Sequence, residues 1–248
     1  MPIIISPFCR AARNAAWEEF LFRRRPLRPA LLFYRNEAAV LWGRNQNPYL
    51  ECDVPKCRRQ GVSLLRRISG GGTVYHDLGN LNYCFVLPRG TCEPGAAVQL
   101  LCRCLRGLGV PDLRVCERHS LWLGERKVSG SAFALSGPAV LLHGCLLLHS
   151  DLVRLQELLQ PARAEAPGRR GLASVRSPVV NLSAVCPAVS AAAVQEALSA
   201  LAVELWPALA DEEESGPAPA ELLAPYEEKF TCESWTMEMA AGINDQQP

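Results

Sequence analysis

Apolar positions recur with a helical period over residues 10–24, where Ala12, Ala16, Trp17, Phe20 and Leu21 fall on one face with Arg and Glu between them. That spacing predicts an amphipathic helix. Two short apolar runs follow, Leu31–Tyr34 and Ala38–Trp42, and with Arg35-Asn36-Glu37 between them they read as a hairpin. Asn47-Pro48 marks a turn. Ser63–Arg67 and Thr73–Tyr75 read as short strands around a triple glycine, and Leu81, Tyr83, Phe85 and Leu87 alternate along one face of a longer strand. Residues 94–109 carry the clearest helical stripe, Ala97, Leu100, Leu101, Cys104, Leu105 and Leu108, with Pro94 suited to the first turn and glycines closing it. Ser120–Leu123 and Lys127–Phe133 flank Gly124-Glu125 as a second hairpin, and the nearly unbroken apolar run Val140–Leu148 predicts a central strand buried on both faces. Helices are expected over 151–159 and 190–206, the second capped by Ser190. A basic loop over 161–171, an acidic Pro/Ala linker over 211–220 and one short helix and tail within 221–248 complete the chain. The predicted class is α/β: a mixed sheet with packed helices, one main domain spanning residues 1–210.

Composition narrows the partners. With 248 residues, 49% of them apolar, the chain can bury a real core. Its 26 Lys and Arg nearly cancel 25 Asp and Glu, so no global field recruits nucleic acid or anionic lipid. No apolar run approaches the roughly 20 residues needed to span a bilayer. A soluble, non-secreted protein without nucleic-acid or membrane partners is expected. The 11 cysteines are odd in number and often sit inside apolar runs, which favours reduced thiols. Neither Cys52/Cys57 nor Cys102/Cys104 has zinc-knuckle spacing, and His76, His119, His143 and His149 are scattered, so no metal site is expected. The Arg-rich start could belong to a mitochondrial transit peptide, but Glu18 and Glu19 favour a folded helix.

Three stretches carry candidate chemistry. In Arg66-Arg67-Ile68-Ser69-Gly70-Gly71-Gly72-Thr73-Val74-Tyr75-His76-Asp77, the glycines allow close backbone approach to a ligand and Arg67 can supply a charge-assisted fork to a carboxylate or phosphate. A tight turn beside solvated arginines is the plainer alternative. The run has neither the ending of a P-loop nor the spaced glycines of a dinucleotide fingerprint. Lys127, opening Lys127-Val128-Ser129-Gly130-Ser131-Ala132, is either a solvated charge or an ammonium that neutralises a phosphate and a developing oxyanion together. Gly171–Pro178 is either a basic surface loop or a lid over a nucleotide.

Taken together, these stretches resemble the lipoate–protein ligase and lipoyltransferase family, related in fold to the biotin–protein ligases. The resemblance rests on Gly43-Arg44-Asn45-Gln46-Asn47-Pro48, Arg66 through Asn80, Arg126 through Ala132 and Gly171 through Leu182, in that order. It implies that a lipoyl or octanoyl group is carried as a lipoyl-AMP type of acyl-adenylate, made with ATP and Mg²⁺ if the chain activates free lipoate. The acceptor would be a lysine on a lipoyl domain of a 2-oxoacid dehydrogenase E2 subunit or on the glycine cleavage H protein. Lys127 would be the catalytic group, with Arg67, Gly70, Gly71, Gly72, Thr73, Val74, Tyr75, Arg118, Cys145, Ala173 and Ser174 binding the acyl-adenylate. Val74, Leu81 and the Val140–Leu148 strand would supply the apolar slot.

The chain departs from the family pattern in three places. Full-length ligases usually carry a further carboxy-terminal domain, so the expectation is a catalytic domain alone. The usual Trp-Glu-Trp is Trp235-Thr236-Met237, and Cys145 stands where threonine is common. Two alternatives therefore stay open: an octanoyl or lipoyl transferase working through a thioester on Cys145, and a catalytically weak lipoyl-domain-binding protein. The expected compartment is the mitochondrial matrix, with bacterial-type cytoplasm as the alternative, and the expected state is a monomer.

Overall fold

Residues 3–24, 29–91, 95–162, 171–210 and 220–238 are described by the computed structural model. The strands are β1 (Ile3–Ile5), β2 (Ala30–Tyr34), β3 (Ala39–Trp42), β4 (Ser63–Arg66), β5 (Val74–His76), β6 (Asn80–Pro88), β7 (Leu113–Val115), β8 (Leu121–Leu123), β9 (Arg126–Ser136) and β10 (Ala139–Leu147). The helices are α1 (Ala11–Arg24), α2 (Pro48–Glu51), α3 (Val54–Arg59), α4 (Ala96–Gly107), α5 (Leu152–Leu158), α6 (Ala191–Leu205), α7 (Ala220–Thr231) and α8 (Glu233–Met237). A seven-stranded sheet runs β1-β2-β6-β10-β9-β8-β7, antiparallel except for β1 with β2. A three-stranded sheet runs β4-β3-β5. No helix among the described residues is long and apolar enough to cross a membrane.

Strand β10 has the two apolar faces its sequence predicts. Val140, Leu142 and Leu146 join Leu81, Tyr83 and Phe85 in the core covered by α4 and α6, while Ala139 and Leu141 pack on the other side with Trp17, Leu21 and Phe22 of α1. The stripe on α4 explains its burial, since Ala97, Leu100, Leu101, Cys104 and Leu105 all lie inside. Ser190 caps α6, its hydroxyl accepting the Ala193 N–H at 3.1 Å. Pro94, residues 163–170 of the expected basic loop, 211–219 of the expected linker and 239–248 of the tail lie outside the described residues.

The expected first hairpin does not form. β2 joins the large sheet and β3 the small one, and the reason lies in the residue between them. Asn36 is fully buried, accepting from Asn14 Nδ2 at 2.8 Å and donating to His76 Nδ1 at 3.1 Å, so the connection is a buried crossing rather than a solvated turn. Asn47-Pro48 opens a helix instead of a simple turn, with Asn47 accepting from Tyr49 N–H at 3.1 Å. Asp53 likewise caps α3 through the Lys56 N–H at 2.9 Å. Helices α7 and α8 belong to the same body. α7 lies along α1, with Phe20 and Tyr226 edge to face at 6.1 Å, and α8 docks on the small sheet, where Arg66 Nε donates to Trp235 O and Trp235 Nε1 donates to Arg66 O, both at 3.0 Å.

Candidate functional site

The glycine run is shaped by the two arginines before it. Arg66 donates to the carbonyls of Arg44 and Gln46, each at 2.8 Å, fixing the turn after β3. Arg67 donates to Leu41 O at 2.8 Å, Gly70 O at 3.0 Å and Gly72 O at 2.7 Å, so its fork wraps the loop that follows it. Gly71 has φ +87°, a conformation that favours glycine, and a Cβ there would lie 3.2 Å from that of Ala132. The loop is thereby pressed onto β9.

Between this loop, α1 and one face of the large sheet lies a cleft of about 940 Å³. Its floor is a single row across four strands, Gly130, Cys145, Asn82 and Tyr34, each the register partner of the next. Above the floor stands a buried polar chain. Tyr34 OH donates to Glu18 Oε1 at 2.9 Å, His143 Nδ1 donates to Glu18 Oε2 at 2.9 Å, and His143 Nε2 bonds the Ser69 hydroxyl at 2.7 Å. The order Glu–His–Ser is that of a hydrolase triad, but Ser69 is 1% exposed and does not line the cleft. Here the chain anchors the glycine loop to α1 and β10. Burial, followed by the charge of Arg67 and by His143, pushes His76 down to about 3, so this histidine is neutral near pH 7. Burial also drives Tyr34 well above the usual phenol range.

The segment 171–177 closes one side. Ser174 Oγ accepts the Thr73 N–H at 2.8 Å and Gln46 Nε2 at 2.9 Å, and the Ser174 N–H donates to Glu51 Oε1 at 3.0 Å. Gln46 is 2% exposed and uses its whole amide: Nε2 also donates to Leu172 O, and Oε1 accepts from Gly43 N–H and Thr73 Oγ1. Past this segment the chain pairs with Lys127, whose N–H donates to Pro178 O at 2.8 Å and whose carbonyl accepts from Val180 N–H at 3.1 Å. The Lys127 side chain folds over Gly130, and its ammonium has no hydrogen bond or ion pair among the described residues. Arg118 and Arg176, both exposed on the cleft wall, are free in the same sense. A floor that includes an amide, with unpaired cations among the lining side chains, suits an anion carrying an aliphatic tail.

The model of the lipoyl protein ligase A/B catalytic domain matches residues 10–201. The chain belongs to that family. Lipoate-protein ligase A of Psychrobacter cryohalolentis is 36% identical over 170 residues, 68% of this chain and 50% of the relative. The chain spans about half the length of the curated relatives it matches. Among solved structures, a lipoate-protein ligase A bound with ATP superposes with a TM-score of 0.76 at 25% identity, over 96% of this chain and all of that one. The bipartite ligase of Thermoplasma acidophilum, described with its E2 lipoyl domain, superposes at 0.77 with 26% identity, over 97% and 96% of the two chains.

Within this lipoyl ligase fold, Arg67, Gly71, Gly72, Thr73, Val74, Arg118, Lys127, Cys145, Ala173 and Ser174 all line the cleft. Gly70 lines a smaller adjoining cavity of about 360 Å³. Tyr75 does not meet them: its ring is buried among Val40, Trp42, Cys52 and Leu158, on the far side of the small sheet. Leu81 also turns away, into the core under α4 and α6. Cys145 is half-buried on the cleft floor rather than enclosed in apolar surroundings. Both ring nitrogens of its neighbour His143 are engaged with Glu18 and Ser69. Sequence reasoning missed Glu18, Tyr34, Gln46, Asn82 and His143 as cleft residues. No local signal marked them: Asn82 shares its strand face with a second buried amide, Asn80, and nothing in the sequence separates the two.

Proposed function

We propose that this chain transfers a lipoyl or octanoyl group, carried as its acyl-adenylate, to a lysine of a lipoyl domain. The observation that supports this most directly is the unpaired Lys127 ammonium over Gly130, at one end of a floor long enough for a medium-length acyl chain. The acceptor amine attacks the carbonyl carbon of the mixed anhydride, the acyl–phosphate bond breaks, AMP leaves and the amine loses a proton. Lys127 stabilises the oxygens on which charge grows, and the cleft supplies position; no nucleophilic side chain is required. Segment 171–177 covers the nucleotide side, with Ala173 and Ser174 next to it.

ATP activates the free acid in this reading, and Mg²⁺ enters as the counter-ion of the triphosphate. Acceptors are E2 lipoyl domains and the glycine cleavage H protein, the working unit is a monomer, and the compartment is the mitochondrial matrix. Support for the lipoyl-domain acceptor comes from the family and from the relative described with an E2 lipoyl domain. A second reading has one observation in its favour: Cys145 is half-buried and faces the cleft. There the Cys145 thiolate would displace AMP to form a thioester, which the acceptor lysine then cleaves.

The deciding assay incubates the protein with octanoate or lipoate, ATP and Mg²⁺, with and without a lipoyl-domain acceptor, and weighs the products. Acyl-AMP without acceptor is the expected sign of activation. Acceptor mass gained only from synthetic acyl-AMP restricts the chain to transfer, and no gain from either donor refutes the proposal.

A further inference from the structure

The row that floors the cleft contains one polar atom for which the transfer reaction has no use. Asn82 is fully buried and lines the cleft. Its Nδ2 donates to Tyr34 O at 3.3 Å, whereas its Oδ1 has no hydrogen-bond partner among the described residues. The neighbouring acceptors are taken, since Tyr34 and His143 occupy the two oxygens of Glu18. A buried amide oxygen without a donor is costly, and a ligand that brings a donor to it recovers that cost.

Distance says which part of the ligand arrives there. Lys127 stands over Gly130, the first residue of the row, and Asn82 lies two strands further on. Adjacent strands are about 4.8 Å apart, so roughly 9–10 Å separates the two, about the reach of an extended eight-carbon acyl chain. A carbonyl held at Lys127 thus brings the last carbons of the chain over Asn82. In an octanoyl group those carbons carry only C–H. In the oxidised lipoyl group they carry a cyclic disulfide, which accepts weakly and donates nothing. In the reduced group they carry two thiols, each an S–H donor.

We infer that Asn82 is a specificity-determining residue that makes this cleft favour the dithiol form of the lipoyl group over forms without a donor at the chain end. The inference rests on the lipoyl-transfer reading and adds to it the redox state of the substrate. Cys145, beside Asn82 in the row, offers a thiol to the same end of the ligand, so the comparison needs conditions that keep it reduced throughout.

Calorimetric titration of the intact chain in one reducing buffer compares dihydrolipoate, 5-cyclopentylpentanoate, whose ring mimics the dithiolane and cannot be reduced, and octanoate. Dihydrolipoate is expected to bind about three- to tenfold more tightly than either, the range a single weak hydrogen bond supplies. In Asn82→Leu that ratio is expected to fall toward one. A wild-type ratio of one or below overturns the inference whether or not the variant folds, and so does an unchanged ratio in a folded Asn82→Leu protein. If none of the three carboxylates binds, the lipoyl-transfer reading itself fails and the inference with it; equal binding of all three removes the inference alone.

Discussion

The hydroxyl of Ser174 accepts the backbone N–H of Thr73 at 2.8 Å, seating the segment after Gly171 on the end of the glycine run. A donor that the sequence offers to an incoming anion is therefore already occupied by the chain's own side chain. Gln46 reinforces the contact from beneath, so a nucleotide that uses the Thr73 N–H has to displace a serine rather than water.

Gly72 tests how tightly this contact is set. A Cβ there would lie 3.0 Å from Ser174 Oγ, and the residue has no left-handed φ to strain a side chain. Gly72→Val is expected to push the segment off the glycine loop while the fold persists. Stabilisation by a non-hydrolysable acyl-adenylate should disappear in thermal melts, and proteolysis within 171–178 should accelerate. Loss of the folded state without ligand would show instead that the glycine serves the turn.

Lys127→Ala removes the unpaired ammonium over Gly130 and little else, because the residue's backbone bonds to Pro178 and Val180 remain. Transfer from acyl-adenylate should slow by about 100- to 1,000-fold with the melting temperature nearly unchanged. Near-normal turnover would reject the assignment.

Cys145→Ala should retain at least about a tenth of wild-type transfer, because an activated anhydride needs no covalent relay. The adjacent histidine cannot serve as a free base while both its nitrogens are bonded. Intact-mass measurement during turnover checks this: an acyl-enzyme that hydroxylamine removes and Cys145→Ala lacks would favour the thioester reading.

His76 makes stability depend on pH with a definite sign. Its folded value of about 3 lies below the ordinary 6.5, so between these limits the unfolded chain binds the extra proton. The stabilisation is complete above about pH 6.5 and is lost as pH falls, by up to about 1.4 kcal/mol per pH unit. Urea titrations from about pH 7 down to about pH 4 should give a shallower pH slope for His76→Gln than for the wild type. Parallel slopes would place the acid sensitivity elsewhere.

Long elements with a single strong period were legible in the sequence: the α4 stripe, the two-faced β10 and the Ser190 cap all follow from local chemistry. β2 and β3 defeat that reading because each is apolar on both faces, and nothing in an unbroken apolar run says which sheet it will enter. Asn36 decides it through partners at residues 14 and 76, a long-range fact. Helices α2 and α3 span 4 and 6 residues, too short to display a period. In the cleft, the glycine run and Lys127 stood out by residue type. Glu18, Gln46 and Asn82 did not, because a lone polar residue acquires its meaning only from the neighbours that folding brings. Tyr75, inside the motif, points the wrong way because alternate residues of a strand face opposite sides.

The exchange of hydrogen bonds between Arg66 and Trp235 makes α8 one end of a continuous tether. Its knot is the Arg66 guanidinium, which donates to Trp235 O and to the carbonyls of Arg44 and Gln46. The Gln46 side chain carries the tether on to Ser174 at the cleft rim, and the other end is α8, at the surface of the body. The rim of the cleft and the surface helix α8 are thus fastened through one buried arginine, so loss of that single guanidinium would untie both at once.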